Sequence, residues 1–173
     1  MINEADFERR VLAADWSAYE QPGFGSIPRA ILGLAQATPG ERSAWQDALE
    51  LCLLPQASLG DGTPYAIPLL LDLLRERIAS EEILYVLMLI AICTEDRSSG
   101  DLGVQCRQGL RSGLNVLVGC LLDAELPTAV RSLALDVICR LVENRCAWEP
   151  ILRRLSDSDI DSELRSEIRE WLE

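Results

Sequence analysis

The sequence predicts an all-α fold, arranged as an α-solenoid of about four stacked helical hairpins. Three observations favour this fold. Leucine is abundant and aromatic residues make up only 5% of the chain, a composition that suits helices better than strands. Apolar residues recur at helical spacing between short breaks of proline, glycine, serine and threonine. The sequence also resembles itself after a shift of about 40 residues, the length of a two-helix repeat.

The length and composition indicate one domain. The chain has 173 residues, of which 49% are hydrophobic, so it can bury a sizeable core. We therefore predict a single repeat domain over residues 1–173. Its predicted parts are an N-terminal helix with a connector over 1–25, followed by helical pairs over 26–55, 64–94, 102–143 and 147–173.

The first two pairs contain helix-start signals. Pro28 suits the first turn of a helix that ends near residue 37. Residues 38–41 (TPGE) form a capping-box pattern and predict a second helix that ends near residue 54. Thr63 precedes a proline and is predicted to cap the next helix, and Ser80 to cap the one after it.

The second half predicts longer helices. One covers about 102–124, another runs from Pro127 to about residue 143, and a last pair covers 149–155 and 159–172. The longest apolar run, Ile83–Cys93, is too short to cross a bilayer. It predicts a buried helix in the middle of the stack.

The repeat is clearest in the first half. A shift of 40 residues places Ile27-Pro28 on Ile67-Pro68 without a gap, and Trp45 on Tyr85. Trp45 and Tyr85 are therefore predicted to be matching core residues. Because one pair cannot bury its apolar face alone, the neighbouring pairs must stack to create the core.

Residues 123–141 (DAELPTAVRSLALDVICRL) resemble a HEAT repeat. The N-terminal half is similar to a group of bacterial HEAT-like proteins. The matching features are Trp16 and Tyr19 before a glycine, an Ile-Pro helix, and segment 62–65 (GTPY) ahead of a second Ile-Pro helix. The loop before that second helix looks shorter here. The resemblance implies a bacterial α-solenoid that serves as a binding scaffold, and it implies nothing about chemistry.

The residue types exclude most catalytic machinery. The chain contains no histidine and no lysine, and its sixteen basic side chains are all arginine. Ser–His and Cys–His pairs, Schiff-base lysines and P-loop lysines therefore cannot form. Arginine stays protonated at physiological pH and does not shuttle protons. We predict that the protein is not an enzyme.

The net charge of −12 indicates the kind of partner. It disfavours nucleic acid and anionic membranes, and it favours a basic protein. Residues 1–10 do not resemble a signal peptide, so we expect a cytoplasmic protein, a monomer or weak homodimer. Residues 157–173 carry seven carboxylates and two arginines, which form either a solvated cap or a docking patch.

No metal or cofactor is predicted. Six cysteines lack CxxC spacing and mostly lie in apolar stretches, so they are predicted to be small buried side chains in a reducing compartment. They are Cys52, Cys93, Cys106, Cys120, Cys139 and Cys146. The acids at 157, 159 and 161 resemble the start of a calcium loop. However, Ser162 and Ile168 stand where that loop needs glycine and glutamate.

These features predict a non-catalytic protein-binding module, and more narrowly an acidic immunity protein that neutralises a basic, cytosol-acting toxin. Two alternatives stay open: an adaptor or assembly scaffold, and a HEAT-like enzyme such as a chromophore lyase. A HEAT-like DNA glycosylase is disfavoured because it needs a basic groove. The predicted partner-binding residues are polar residues of the second helix in each pair, together with nearby loop acids. They are Gln46, Asp47, Glu50, Asp61, Glu95, Asp96, Ser132, Asp136, Arg140 and Glu143.

Overall fold

The computed structural model describes residues 3–19, 23, 25–141, 150, 152–153 and 162–172. Within these residues all regular secondary structure is helical, which confirms the all-α prediction. The helices are α1 (Glu4–Ala13), α2 (Ile27–Gln36), α3 (Arg42–Leu53), α4 (Thr63–Arg75), α5 (Ser80–Glu95), α6 (Gly100–Ser112), α7 (Leu114–Leu122), α8 (Thr128–Leu141) and α9 (Ser162–Leu172). Short 3₁₀ turns cover Trp16–Ala18, Pro55–Ala57 and Arg97–Ser99.

The predicted helix starts are correct in place, but three differ in detail. Ser80 is the first residue of α5 instead of its cap, a position that Ala79 takes. The carboxylate of Glu41 accepts a hydrogen bond from the Thr38 N–H at 3.1 Å, as a capping box predicts, and another from the Thr38 hydroxyl at 2.6 Å. The bonds close the turn before α3, which itself begins at Arg42. Thr63 is the first residue of α4 instead of its cap. Its buried hydroxyl donates to the Leu53 carbonyl at 2.7 Å and so ties α4 to the end of α3.

The prediction of one long helix over 102–124 is wrong. The helix is interrupted at Gly113, whose N–H bonds to the Leu110 carbonyl and so ends α6. A Cβ atom at Gly113 would lie 2.3 Å from a methyl carbon of Leu71. Glycine therefore allows the backbone to approach α4 closely, and a separate helix, α7, begins at Leu114. The described residues of the helical pair predicted over 102–143 therefore form three helices, of which α7 and α8 pack together as a pair.

Each helix packs against its sequence neighbour and against a helix of the adjacent pair. The neighbours α2 and α3, α4 and α5, and α7 and α8 pack together. Across pairs, α3 packs on α5 and α5 on α8, while α2 packs on α4 and α4 packs on α6 and α7. At the two ends, α1 packs on α2 and α9 packs on α8. The apolar helix α5 thus packs against α3 on one flank and α8 on the other.

Arginines close several helix ends inside this packing. Arg107 donates to a carbonyl in the last turn of α5 at 3.0 Å. Arg111 donates from two nitrogens to the Leu141 carbonyl at the end of α8, at 3.2 and 3.1 Å. The buried Arg131 donates to the Leu121 carbonyl at 3.0 Å. Because helix C-termini leave carbonyls unpaired and carry partial negative charge, a guanidinium suits each position.

The prediction of buried cysteines is confirmed for two of the five that are described. Cys106 and Cys120 are buried, whereas Cys52, Cys93 and Cys139 are half-buried, and none of the five forms a disulfide. Burial raises the pKa of Cys106 and Cys139 to about 12 and that of Cys120 to about 11. A thiol with such a pKa is a poor nucleophile at neutral pH. Cys146 lies outside the described residues, as do residues 157, 159 and 161. None of the described helices is both long and apolar enough to cross a membrane.

Candidate functional site

One side of α5 is apolar but uncovered. Tyr85, Leu89 and Ile92 follow each other at helical spacing and share one face of the helix. Tyr85 is 37% exposed and Ile92 38% exposed, and Leu89 is half-buried. We call these three residues the α5 stripe. Acidic residues stand at both ends of α5, Glu81 before the stripe and Glu95 after it.

A groove runs between the α5 stripe and α3. It encloses a volume of about 380 Å³. We call it the α3–α5 groove, and it is lined by Asp47, Glu50, Leu51, Leu54, Ala57, Leu89 and Cys93. Leu51 is 48% exposed although its side chain is fully apolar. The Gln46 amide donates to Glu50 at 2.9 Å and positions this carboxylate one turn from Asp47.

Toward its C-terminal end, α5 is joined to α8 by a cluster of charged residues. Nη1 of Arg140 lies 3.1 Å from the Glu95 carboxylate, and its Nε lies 3.2 Å from the Asp136 carboxylate. Burial opposes ionisation of Arg140, but the two carboxylates outweigh burial and raise its pKa. The three residues carry one net negative charge and hold the ends of the two helices together.

A second cavity, of about 670 Å³, lies at the end of α5 against α6. Its charged lining residues are already engaged. Arg107 and Arg111 donate to the helix-end carbonyls described above. Asp96 accepts from the Ser98 N–H at 2.9 Å, and its hydrogen bonds to Ser98 lower its pKa. Asp96 is therefore held ionised at a helix start, where it acts as a cap instead of a proton donor.

The structure brings six of the predicted site residues together in two groups. Gln46, Asp47 and Glu50 lie at the α3–α5 groove, and Glu95, Asp136 and Arg140 form the cluster between α5 and α8. Asp96 lines the second cavity, and Ser132 is half-buried on α8. Glu143 lies outside the described residues.

Asp61 stands apart from this group. It is exposed in the turn before α4 and does not line the α3–α5 groove. The ring of Tyr19 stacks on Tyr65 nearby, with centroids 4.7 Å apart. A hydrogen bond with Tyr65, burial and the charges of Asp15 and Asp61 raise the pKa of Tyr19. Asp61 therefore belongs with the N-terminal connector.

The exposed apolar residues of the α5 stripe were not predicted from the sequence. The prediction that Tyr85 is a core residue is wrong, because its side chain is exposed, whereas Trp45 packs half-buried against the core. The two residues align when the sequence is shifted by 40 residues, but they differ in how far neighbouring helices bury them. Because residues 83–93 are apolar on every side, their pattern does not indicate which side is uncovered.

Among the described residues, no three His, Cys, Asp or Glu side chains converge as a metal site would require. Comparison with protein-family models, with curated proteins and with solved structures gives no match for this chain. The resemblance to HEAT-repeat proteins stays a prediction.

Proposed function

We propose that this protein is a non-catalytic protein-binding module that captures a basic protein. The proposed contact surface consists of the α3–α5 groove, the α5 stripe and the Glu95–Asp136–Arg140 cluster, and we call it the α3–α5–α8 face. The observation that carries the proposal is the α5 stripe, half-exposed apolar residues with carboxylates around them. An apolar centre with a polar rim is typical of protein interfaces.

We further propose that the helices form a short HEAT-like α-solenoid. Two sets of cross-pair contacts support this arrangement: α3 to α5 to α8 on one side, and α2 to α4 to α6 and α7 on the other. Contacts between equivalent helices of adjacent pairs are what a stack of hairpins requires. In such a stack α3, α5 and α8 present one continuous surface to a partner.

Charge supports a basic partner. The α3–α5–α8 face includes the carboxylates of Asp47, Glu50, Glu95 and Asp136, and Arg140 offsets one of them. The whole chain carries a net charge of −12. Opposite charge on a partner accelerates association and excludes partners of the wrong sign.

Within this class we favour an immunity protein that covers the basic active-site cleft of a cytosol-acting toxin. A small acidic module that binds through carboxylates fits that task. An adaptor for a larger assembly is the alternative. It would be expected to bind several proteins instead of one basic enzyme.

The test uses the product of the adjacent gene, purified and titrated against this protein. We expect a strongly basic protein that binds one-to-one, loses affinity as salt rises, and is less toxic to cells that co-express this chain. A triple variant, D47N/E50Q/E95Q, should weaken binding. The control, E8Q/E163Q/E170Q, changes the net charge equally through exposed residues of α1 and α9. Equal weakening by both variants, or binding unaffected by salt, would count against the proposal.

A further inference from the structure

We propose that the α3–α5 groove binds one amphipathic helix of the partner, with apolar side chains against Leu51 and Leu89 and lysines or arginines against Asp47 and Glu50. This inference rests on the proposed function, because it assumes that the partner is a basic protein. It adds the location, the secondary structure and the side-chain pattern of the bound segment.

The apolar contact follows from the groove lining. Leu51, Leu54 and Leu89 contribute apolar side chains from two helices, and Leu51 is 48% exposed. Water in contact with these leucines gains freedom when another apolar side chain replaces it. The neighbouring stripe residues Tyr85 and Ile92 extend the apolar surface along α5.

The helical form follows from what the groove offers. Peptides commonly bind by adding a strand to a sheet edge, by laying a Pro-rich segment into an aromatic-lined groove, or by laying an amphipathic helix into an apolar groove. The residues that line the α3–α5 groove include no aromatic side chain. The described residues contain no strand, so they provide no sheet edge. From Tyr85 to Ile92 the stripe is about 10 Å long, at 1.5 Å per residue. This length matches two turns of a partner helix with apolar residues at i, i+4 and i+7.

The basic character follows from the rim. Asp47 and Glu50 are one helical turn apart on α3 and point to the same groove. Among the described residues, neither forms an ion pair with an arginine. Their charges are therefore available to a cation of the partner. A second copy of this chain would bring carboxylates against carboxylates, which charge repulsion disfavours.

The groove is also held in shape before binding. Gln56 and Ala57 at its edge have φ angles of 55° and 58°, which are unfavourable for residues with a side chain. The Cys93 thiol donates to the Ala57 carbonyl at 3.6 Å, and Gln46 holds Glu50. A preformed site loses less conformational entropy on binding. Non-glycine residues in such conformations often mark functional loops.

The experiment uses fluorescein-labelled peptides of about 18 residues, long enough to form a helix. The probe carries leucines at i, i+4 and i+7 and lysines on the other positions near them. A scrambled peptide has the same composition without the apolar face, and a third peptide replaces lysine by glutamate. Binding is measured by fluorescence anisotropy at about 0.05 M and about 0.3 M salt. We expect the probe to bind at least about tenfold more tightly than either control peptide.

Matched variants locate the site. L51S should weaken probe binding at least about fivefold, because it removes the exposed apolar contact. The control L122S changes a leucine that is 55% exposed on α7 and should leave binding unchanged. D47N/E50Q should reduce both the affinity and its salt dependence, whereas E8Q/E170Q should not. Circular dichroism melting verifies that each variant folds.

Three results would overturn the inference. They are equal binding of the probe and the scrambled peptide, equal loss with L51S and L122S, or a dimer of this chain that L51S abolishes. The adjacent-gene partner separates this inference from the proposed function. If that partner binds and L51S has no effect on it, the groove inference is wrong and the proposed function stands. If the partner does not bind while the probe does, the proposed function is wrong.

Discussion

The surface around α4 and the α3–α5 groove both carry carboxylates, but their surroundings differ. On α4, Asp72 is ion-paired with Arg10 of α1 and with Arg75 of its own helix. At the end of α4, Arg77 pairs with Asp123 and Glu125 in the loop after α7. In the α3–α5 groove, the described part of the chain provides no arginine for Asp47 or Glu50.

This comparison distinguishes carboxylates that are ion-paired within the protein from carboxylates that are free of an arginine and can attract a partner. The carboxylates near α4 join neighbouring helices, and Glu125 and Asp123 raise the pKa of Arg77 in doing so. Neutralised charges contribute little to the field that a partner meets. Within the described part of the chain, the carboxylates of the groove are not ion-paired and lie beside Leu51, which is half-exposed, a combination that suits a binding surface better than a helix contact.

The largest expected effect tests whether the α5 stripe is truly outside the core. Leu87 is fully buried on α5, whereas Ile92 is 38% exposed on the stripe. L87A should lower the free energy of unfolding by about 3 kcal/mol, because it leaves a cavity. I92A should lower it by clearly less, about 1 kcal/mol, since more than a third of Ile92 is already exposed. Urea unfolding measures both. Similar losses would mean that the stripe is structural.

The second effect concerns affinity. D47R/E50R should weaken binding of the basic partner about 100-fold, because two attractive contacts become repulsive. E8R/E170R reverses the same number of charges on α1 and α9 and should weaken it less than about threefold. Titration calorimetry of the adjacent-gene product gives both affinities. A comparable loss in the two variants would show that net charge, and not the groove, determines binding.

The helical class could be predicted because it depends on local signals. Proline and threonine mark the start of α4, and the pattern in residues 38–41 is the capping interaction seen before α3. The break at Gly113 could not be predicted in the same way. It depends on the approach of Leu71, which is distant in the sequence. An isolated glycine within a helical pattern does not reveal such a contact.

The site was predictable only in its polar half. Charged residues at helical spacing identify Asp47, Glu50, Asp136 and Arg140 as surface residues. The structure places the first two at the α3–α5 groove and the other two in the cluster between α5 and α8. The exposure of Tyr85 depends on what packs around α5. The same limit applies to Arg131, whose role in closing α7 depends on a carbonyl ten residues earlier in the chain.

The third effect tests the paired carboxylates. D72N should lower the free energy of unfolding by about 1 kcal/mol, because Asp72 is partly buried and joins two arginines. It should leave affinity for the partner unchanged. D47N should do the reverse, with little effect on stability and a measurable loss of affinity. Chemical unfolding and calorimetry on both variants give the four values. A loss of affinity in D72N would remove the distinction between the two surfaces.

The smallest effect is on the pH dependence of stability. Hydrogen bonds from Thr38 lower the pKa of Glu41 in the folded chain, so folding favours its ionised form. This contribution to stability is present above the usual pKa of 4.5 and is lost as pH falls through the lower folded value. E41Q should therefore reduce the slope of stability against pH below about pH 4.5. Urea unfolding at a series of acidic pH values measures this slope.

Because the Glu41 carboxylate is hydrogen-bonded to Thr38, E41Q should also leave partner affinity unchanged at neutral pH. If E41Q lost as much affinity as D47N, a carboxylate that is already hydrogen-bonded within the protein would contribute to binding as much as Asp47 in the groove. The distinction between engaged carboxylates and groove carboxylates would then be wrong.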